Sequence, residues 1–152
     1  MNRWLLVVVA LVGLSLPGCS KDKLSEEEPP RAFIEIGNET YDTLLGTYCW
    51  GNTCVDKVGP IEMLEGKESI RVKPGEIISL MMNDGPQPSD FSIVQISEGG
   101  EQISIVQDNQ FVAPVEKGVY YYYYATRWMD EQEENVSHGD AYYVFALEVG
   151  QR

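Results

Sequence analysis

Few residues in this sequence are of types and spacings that could carry chemistry. His138 is the only histidine. A Ser-His-Asp system would have to use it, yet it stands beside an acidic stretch with no nucleophile motif nearby. A copper site of the usual kind needs two histidines with a cysteine, so His138 alone does not suggest one. Asp130-Glu131-Gln132-Glu133-Glu134-Asn135, with Asp140 beyond it, offers hard oxygen ligands of the kind calcium prefers. The stretch lacks the alternating Asp-x-Asp-x-Asp-Gly order of a dedicated calcium loop, and residues 130–140 read as a solvated acidic loop. No metal and no cofactor is expected. Cys49 and Cys54 have four residues between them. Thiol-redox motifs use two, at a helix start that lowers one thiol's pKa. There is no glycine-rich phosphate loop. With 24 acidic residues some carboxylate pair is always available, but availability is not a glycosidase signature. No catalytic residue is assigned, and the chain is expected not to be an enzyme. The alternative is a hydrolase or thiol-redox enzyme using His138 or Cys49/Cys54.

Binding has a better candidate. Tyr120 to Tyr124 form an unbroken run of five tyrosines, more than a core strand needs. Tyrosine is enriched at interaction hot spots. Charge limits the partner. The chain has 24 acidic and 11 basic residues, for a net charge of −13. A surface this negative repels phosphates, which argues against nucleic acid. It also repels anionic lipid headgroups, so attachment to a membrane would have to be covalent or hydrophobic. Hydrophobic residues at 43% and charged residues at 23% are globular proportions, and 152 residues suit one domain.

The N-terminus supplies a covalent route. Arg3 gives a short positive start, and residues 4–16 (WLLVVVALVGLSL) run apolar for 13 residues. That is about 20 Å of helix at 1.5 Å per residue, short of the ~20 residues a stable span needs and suited to a signal-peptide core. A buried N-terminal helix is the competing reading. Leu16-Pro17-Gly18-Cys19 follows, and this resembles the lipobox of bacterial lipoproteins: an aliphatic residue at −3, a small residue at −1, then cysteine. Pro17 at −2 departs from the usual Ala or Ser. The resemblance implies cleavage after Gly18, a diacylglycerol on the Cys19 sulfur and acylation of the new amino group. Each buried CH₂ contributes about 0.8 kcal/mol, so two or more acyl chains anchor stably. Removing residues 1–18 takes away Arg3 and no acid, leaving the mature chain one unit more negative. Residues 20–30 (SKDKLSEEEPP) read as a polar, solvated tether within a lipidated N-terminal segment, 19–30. The folded domain is then expected over 31–152.

The mature region is also similar to uncharacterised lipoproteins of low-GC Gram-positive bacteria. These share a Thr47-Tyr48-Cys49-Trp50 segment, a nearby second cysteine (Cys54) and the late tyrosine-rich strand. The similarity brings no activity with it. With Cys19 lipidated, Cys49 and Cys54 remain as an even pair in an oxidising space, and a disulfide is the natural reading. Trp50-Gly51-Asn52-Thr53 between them suits a hairpin turn.

Beyond the signal, apolar residues alternate with period two and no long amphipathic helix shows. Extended segments are expected at residues 32–36, 39–50 (with Gly46 as a bulge), 61–64, 69–72, 77–82, 91–96, 102–106, 110–112, 118–128 and 141–149. Gly37-Asn38, Pro74-Gly75 and residues 97–101 are turns. Many short strands between glycine and proline turns predict an all-β, antiparallel sandwich or barrel. Gly118 two residues before Tyr120 resembles the tyrosine corner of immunoglobulin-like domains, which favours the sandwich, although Tyr122 stands where those domains carry cysteine. Parity places Tyr120, Tyr122, Tyr124 and Trp128 in the core, with Tyr143, Phe145, Leu147 and Val149 facing them. Tyr121 and Tyr123 then face outward beside Tyr142. That face is either ordinary packing under a loop or a strip that binds a ligand or partner.

The sequence therefore suggests a lipoprotein on the extracytoplasmic side of the cell membrane. Cys19 would hold it to the bilayer, and it would act as a non-catalytic binding or accessory module of the envelope. Its partner would be an envelope protein or a small ligand. A passive structural lipoprotein is the remaining alternative.

Overall fold

In the computed structural model, residues 27–82, 85–97, 100–104 and 106–150 are described. Cys19 and the signal segment lie outside them, as does most of the tether.

The described residues build two largely antiparallel sheets and one short helix. The first sheet joins β1 (Ala32–Ile36), β2 (Glu39–Asp42), β6 (Ile77–Met82) and β9 (Gln110–Val112) in the order β2-β1-β6-β9. The second joins β3 (Leu44–Trp50), β4 (Thr53–Val55), β7 (Asp90–Ser97), β8 (Gly100–Ser104), β10 (Gly118–Met129) and β11 (Ser137–Val149) in the order β4-β3-β11-β10-β7-β8. β5 (Ile70–Val72) lies parallel to the C-terminal end of β11. The fold is thus an all-β sandwich. Its core is the layer between the sheets: Ile34, Ile36, Ile78, Leu80 and Phe111 on one side, Trp50, Tyr122, Tyr124, Trp128, Tyr143, Phe145 and Leu147 on the other. Tyr122 stacks on Phe145 at 5.3 Å, and Trp50 meets Trp128 edge-on at 4.8 Å.

Alternation explains most of this. Along β11, Ala141, Tyr143, Phe145, Leu147 and Val149 are buried inward, as parity predicts. Gly46 lies at the expected bulge: Ala141 pairs with Tyr48 and Tyr143 with Leu45, so Gly46 and Thr47 together oppose Tyr142. The extra residue resets the alternation, which lets Leu45 and Tyr48, three apart, both pack on the core.

Three expectations need correcting. Residues 61–64 are not a strand but part of the helix α1 (Pro60–Leu64). Pro60, in its first turn, presets a helical φ, and Met63 and Leu64 pack on the outer face of the second sheet. Residues 39–50 are two strands, because the chain changes sheet at Thr43, whose Oγ1 donates to the Ala32 carbonyl at 2.6 Å. Pro29 and Pro30, expected within the tether, are part of the packed domain. Both are buried, and the Tyr143 hydroxyl donates to the Pro30 carbonyl. Two prolines carry enough apolar surface, and little enough unfolded-chain entropy, to seat in the sandwich mouth.

Candidate binding site

Cys49 and Cys54 face each other in register across β3 and β4, with Cα atoms 4.1 Å apart, and are joined in a disulfide. Gly51, at φ +58°, allows the tight turn between the strands. The bridge ties the edge strand β4 to its neighbour β3.

His138 and the acidic loop form a structural unit. Asp130 Oδ1 accepts the backbone N–H groups of Gln132 and Glu133 at 2.6 and 2.7 Å, and its Oδ2 lies 2.8 Å from His138 Nε2. Those two backbone donors first, and His138 after them, hold the Asp130 carboxyl below its ordinary range. Asp130, one of the oxygen donors of the acidic stretch, is thus occupied in closing the β10–β11 turn. Among the described residues no three His, Cys, Asp or Glu side chains are grouped to hold a metal. The Ser137 hydroxyl bonds to the carbonyls of Trp128 and Gly139.

Tyr121, Tyr123 and Tyr142 gather on the outer face of the second sheet, as parity predicts. Tyr123 and Tyr142 meet edge-on at 5.5 Å. The face is partly covered: Tyr121 and Tyr123 pack against Met63 and Leu64 of α1 and against Val144 and Ala146. The Tyr123 hydroxyl donates to Glu101 Oε2 at 2.9 Å. Burial, then this carboxylate and Tyr142, push the Tyr123 phenol up to about 12. Tyr142 alone of the three is well exposed.

A different surface emerges where the two sheets end together. A groove of about 980 Å³ lies between β8 and β9 and is floored by Phe111. Of the ten large hydrophobic residues exposed among those described, four line it: Ile77, Ile103, Val112 and Val115. Soluble surfaces mostly scatter such residues singly, so their convergence here makes the groove a candidate interaction site. Both walls are tied by internal hydrogen bonds. On one, Gln107 and Gln110 exchange both backbone hydrogen bonds across Asp108-Asn109, whose φ angles of 52° and 59° make a tight two-residue turn. On the other, the Tyr120 hydroxyl donates to the Glu116 carbonyl at 2.9 Å, which is the bond a tyrosine corner makes. Deeper in, the Tyr122 hydroxyl donates to Gln95 Oε1 at 2.9 Å. The volume is at the upper end for a ligand site.

Sequence reasoning missed this groove because its residues come from four separated segments. Ile103 and Val112 looked like ordinary members of alternating strands. The usable signal is that Ile77 and Val112 fall on the polar phase of their own strands. Comparison with protein families, curated proteins and solved structures found no match for the chain.

Proposed function

We propose that this chain is an extracytoplasmic lipoprotein, cleaved after Gly18 and anchored through a lipid on Cys19. Its β-sandwich works as a non-catalytic binding module of the cell envelope. The observation that carries the binding reading is the concentration of exposed aliphatic side chains in one preformed groove. Walls already tied by hydrogen bonds reduce the ordering cost of binding. The anchoring reading rests on Leu16-Pro17-Gly18-Cys19 behind a short apolar run. The Cys49–Cys54 disulfide supports an oxidising compartment.

The sandwich is further read as immunoglobulin-like. β6 to β11 alternate between the sheets as strands B, C, C′, E, F and G do, and β11-β10-β7-β8 repeats the order G-F-C-C′. Tyr120 then occupies the corner at the start of strand F, and the hairpins β1–β2 and β3–β4 are additions at the edges.

Intact-mass analysis of the chain purified from bacterial membranes tests the anchor. The expected N-terminus is Cys19 carrying a diacylglyceryl group, and Cys19→Ala should leave the membrane fraction. A retained Met1, or a Cys19→Ala protein that stays membrane-bound, rejects it.

A further inference from the structure

Consecutive residues on each of two strands line the groove: Gln102, Ile103 and Ser104 of β8, and Gln110, Phe111 and Val112 of β9. Successive side chains of a strand point to opposite faces, so only a strand edge presents them all to one space. Among the described residues β8 pairs with β7 alone, and β9 with β6 and, at Gln110, with Gln107. The groove is thus a slot between the edges of the two sheets. Gln107 closes part of the β9 edge through its paired bonds with Gln110. Along β8, no such closure occurs among the described residues. β8 (GEQIS) also holds neither of the residues, lysine and proline, that most often blunt an edge strand.

Charge narrows the occupant. The lining includes Asp108 and Glu116 and no lysine or arginine, on a chain whose net charge is −13. Phosphates and acidic polysaccharides are repelled from such a slot, and cations are drawn in. Its other polar groups are mainly glutamine amides (Gln95, Gln102, Gln107 and Gln110), which like the peptide group carry both donor and acceptor, although the Gln95 oxygen is engaged by Tyr122 and the Gln110 nitrogen by Ser79. Its most exposed apolar residues, Ile103 at 72% and Val115 at 74%, are branched aliphatics. These pack against aliphatic side chains and lack the flat face on which a sugar ring stacks.

We infer that the groove binds an extended, cationic peptide segment by strand addition to the edge of β8. Alternate aliphatic side chains of the peptide lie against Ile103, Val112 and Val115, and its lysines or arginines face Asp108 and Glu116. This rests on the groove being the binding site and names its ligand class; it does not depend on the lipid anchor.

The test is an amide NMR titration of the full chain with a terminally blocked peptide of alternating valine and lysine, about ten residues long. Shifts should concentrate at residues 101–104 and 110–112, with slower amide exchange along β8. Replacing each lysine of the peptide by glutamate should weaken binding at least about tenfold, as should Ile103→Lys in the protein. Methylating alternate backbone nitrogens of the peptide, which removes ladder donors while keeping its side chains, should abolish binding. Absence of shifts at millimolar peptide overturns the inference, as does indifference to N-methylation. A neutral oligosaccharide shifting the groove residues where the peptide does not would assign the groove to sugars. Retention of peptide binding by Cys19→Ala, whichever fraction that variant enters, separates this result from the anchoring test.

Discussion

A methyl group at Gly139 would stand 2.6 Å from Trp50 Cε3 and 3.0 Å from the Cys49 carbonyl oxygen. Neither neighbour can yield cheaply, since Trp50 is buried and locked edge-on against Trp128 and the carbonyl belongs to a paired strand. Gly139→Ala is therefore expected to destabilise by about 1–3 kcal/mol, the usual penalty for overpacking a core. A lowered denaturant midpoint with an unchanged slope confirms it; an unmoved midpoint means the indole has room. The Tyr143 hydroxyl makes a second prediction at this scale. It satisfies the buried Pro30 carbonyl, and Phe in its place leaves that acceptor unpaired at a cost of about 1–3 kcal/mol. Because the lost contact helps hold the Pro29-Pro30 segment, Tyr143→Phe should speed proteolytic cleavage after Glu27 more than cleavage elsewhere. Uniform protection along the chain would show that the prolines seat without it.

Among the elements, the β3–β4 hairpin depends most on a covalent link. β4 has three residues and pairs only with β3 among the described residues. Closing a loop of about six residues removes roughly 2 kcal/mol of unfolded-chain entropy, so replacing Cys49 and Cys54 together by serine should cost about that much. Hydrogen exchange should rise first in residues 53–55, and a loss spread evenly over the sheet would contradict a local staple. Strand content of this kind was legible in the sequence wherever one face is buried and the other wet. β1, β6, β9, β10 and β11 were all expected within a few residues of their ends. α1 was not, because Ile61, Met63 and Leu64 fit a short strand as well as one helical turn, and only the sheet face beneath them decides. Helix α1 in turn changes the outward tyrosines from an open strip into a partly packed layer. The groove was hidden for the opposite reason. Ile77 and Val112 on the polar phase of their strands gave only a faint sign of it, and only the convergence of two sheet edges makes its aliphatic residues neighbours.

For the whole molecule, the many core tyrosines set an upper pH limit. Burial raises the phenols of Tyr122 and Tyr143 well above their ordinary range and pushes Tyr124 up to about 12. In the unfolded chain tyrosine titrates near pH 10. Above that value the unfolded state gives up protons that the native state keeps, so it binds fewer protons and stability falls as pH rises. The tyrosine contribution is thus fully present below about pH 10 and is lost on the way to the native values. At the acid end the sign reverses. The lowered carboxyl of Asp130 stabilises above its unfolded value of 3.8, and that contribution fades as pH falls below it. A midpoint-against-pH curve should be flat between these limits and bend down at both. Alkaline destabilisation could equally arise from self-repulsion in a chain of net charge −13. Salt separates the causes, because about 1 M shortens the screening length to ~3 Å and suppresses surface repulsion while leaving buried phenols untouched. The alkaline fall should persist in high salt, and Tyr124→Phe, which removes one titrating group, should make it shallower. A fall abolished by salt would place the cause on the surface and leave the buried tyrosines without a role in it.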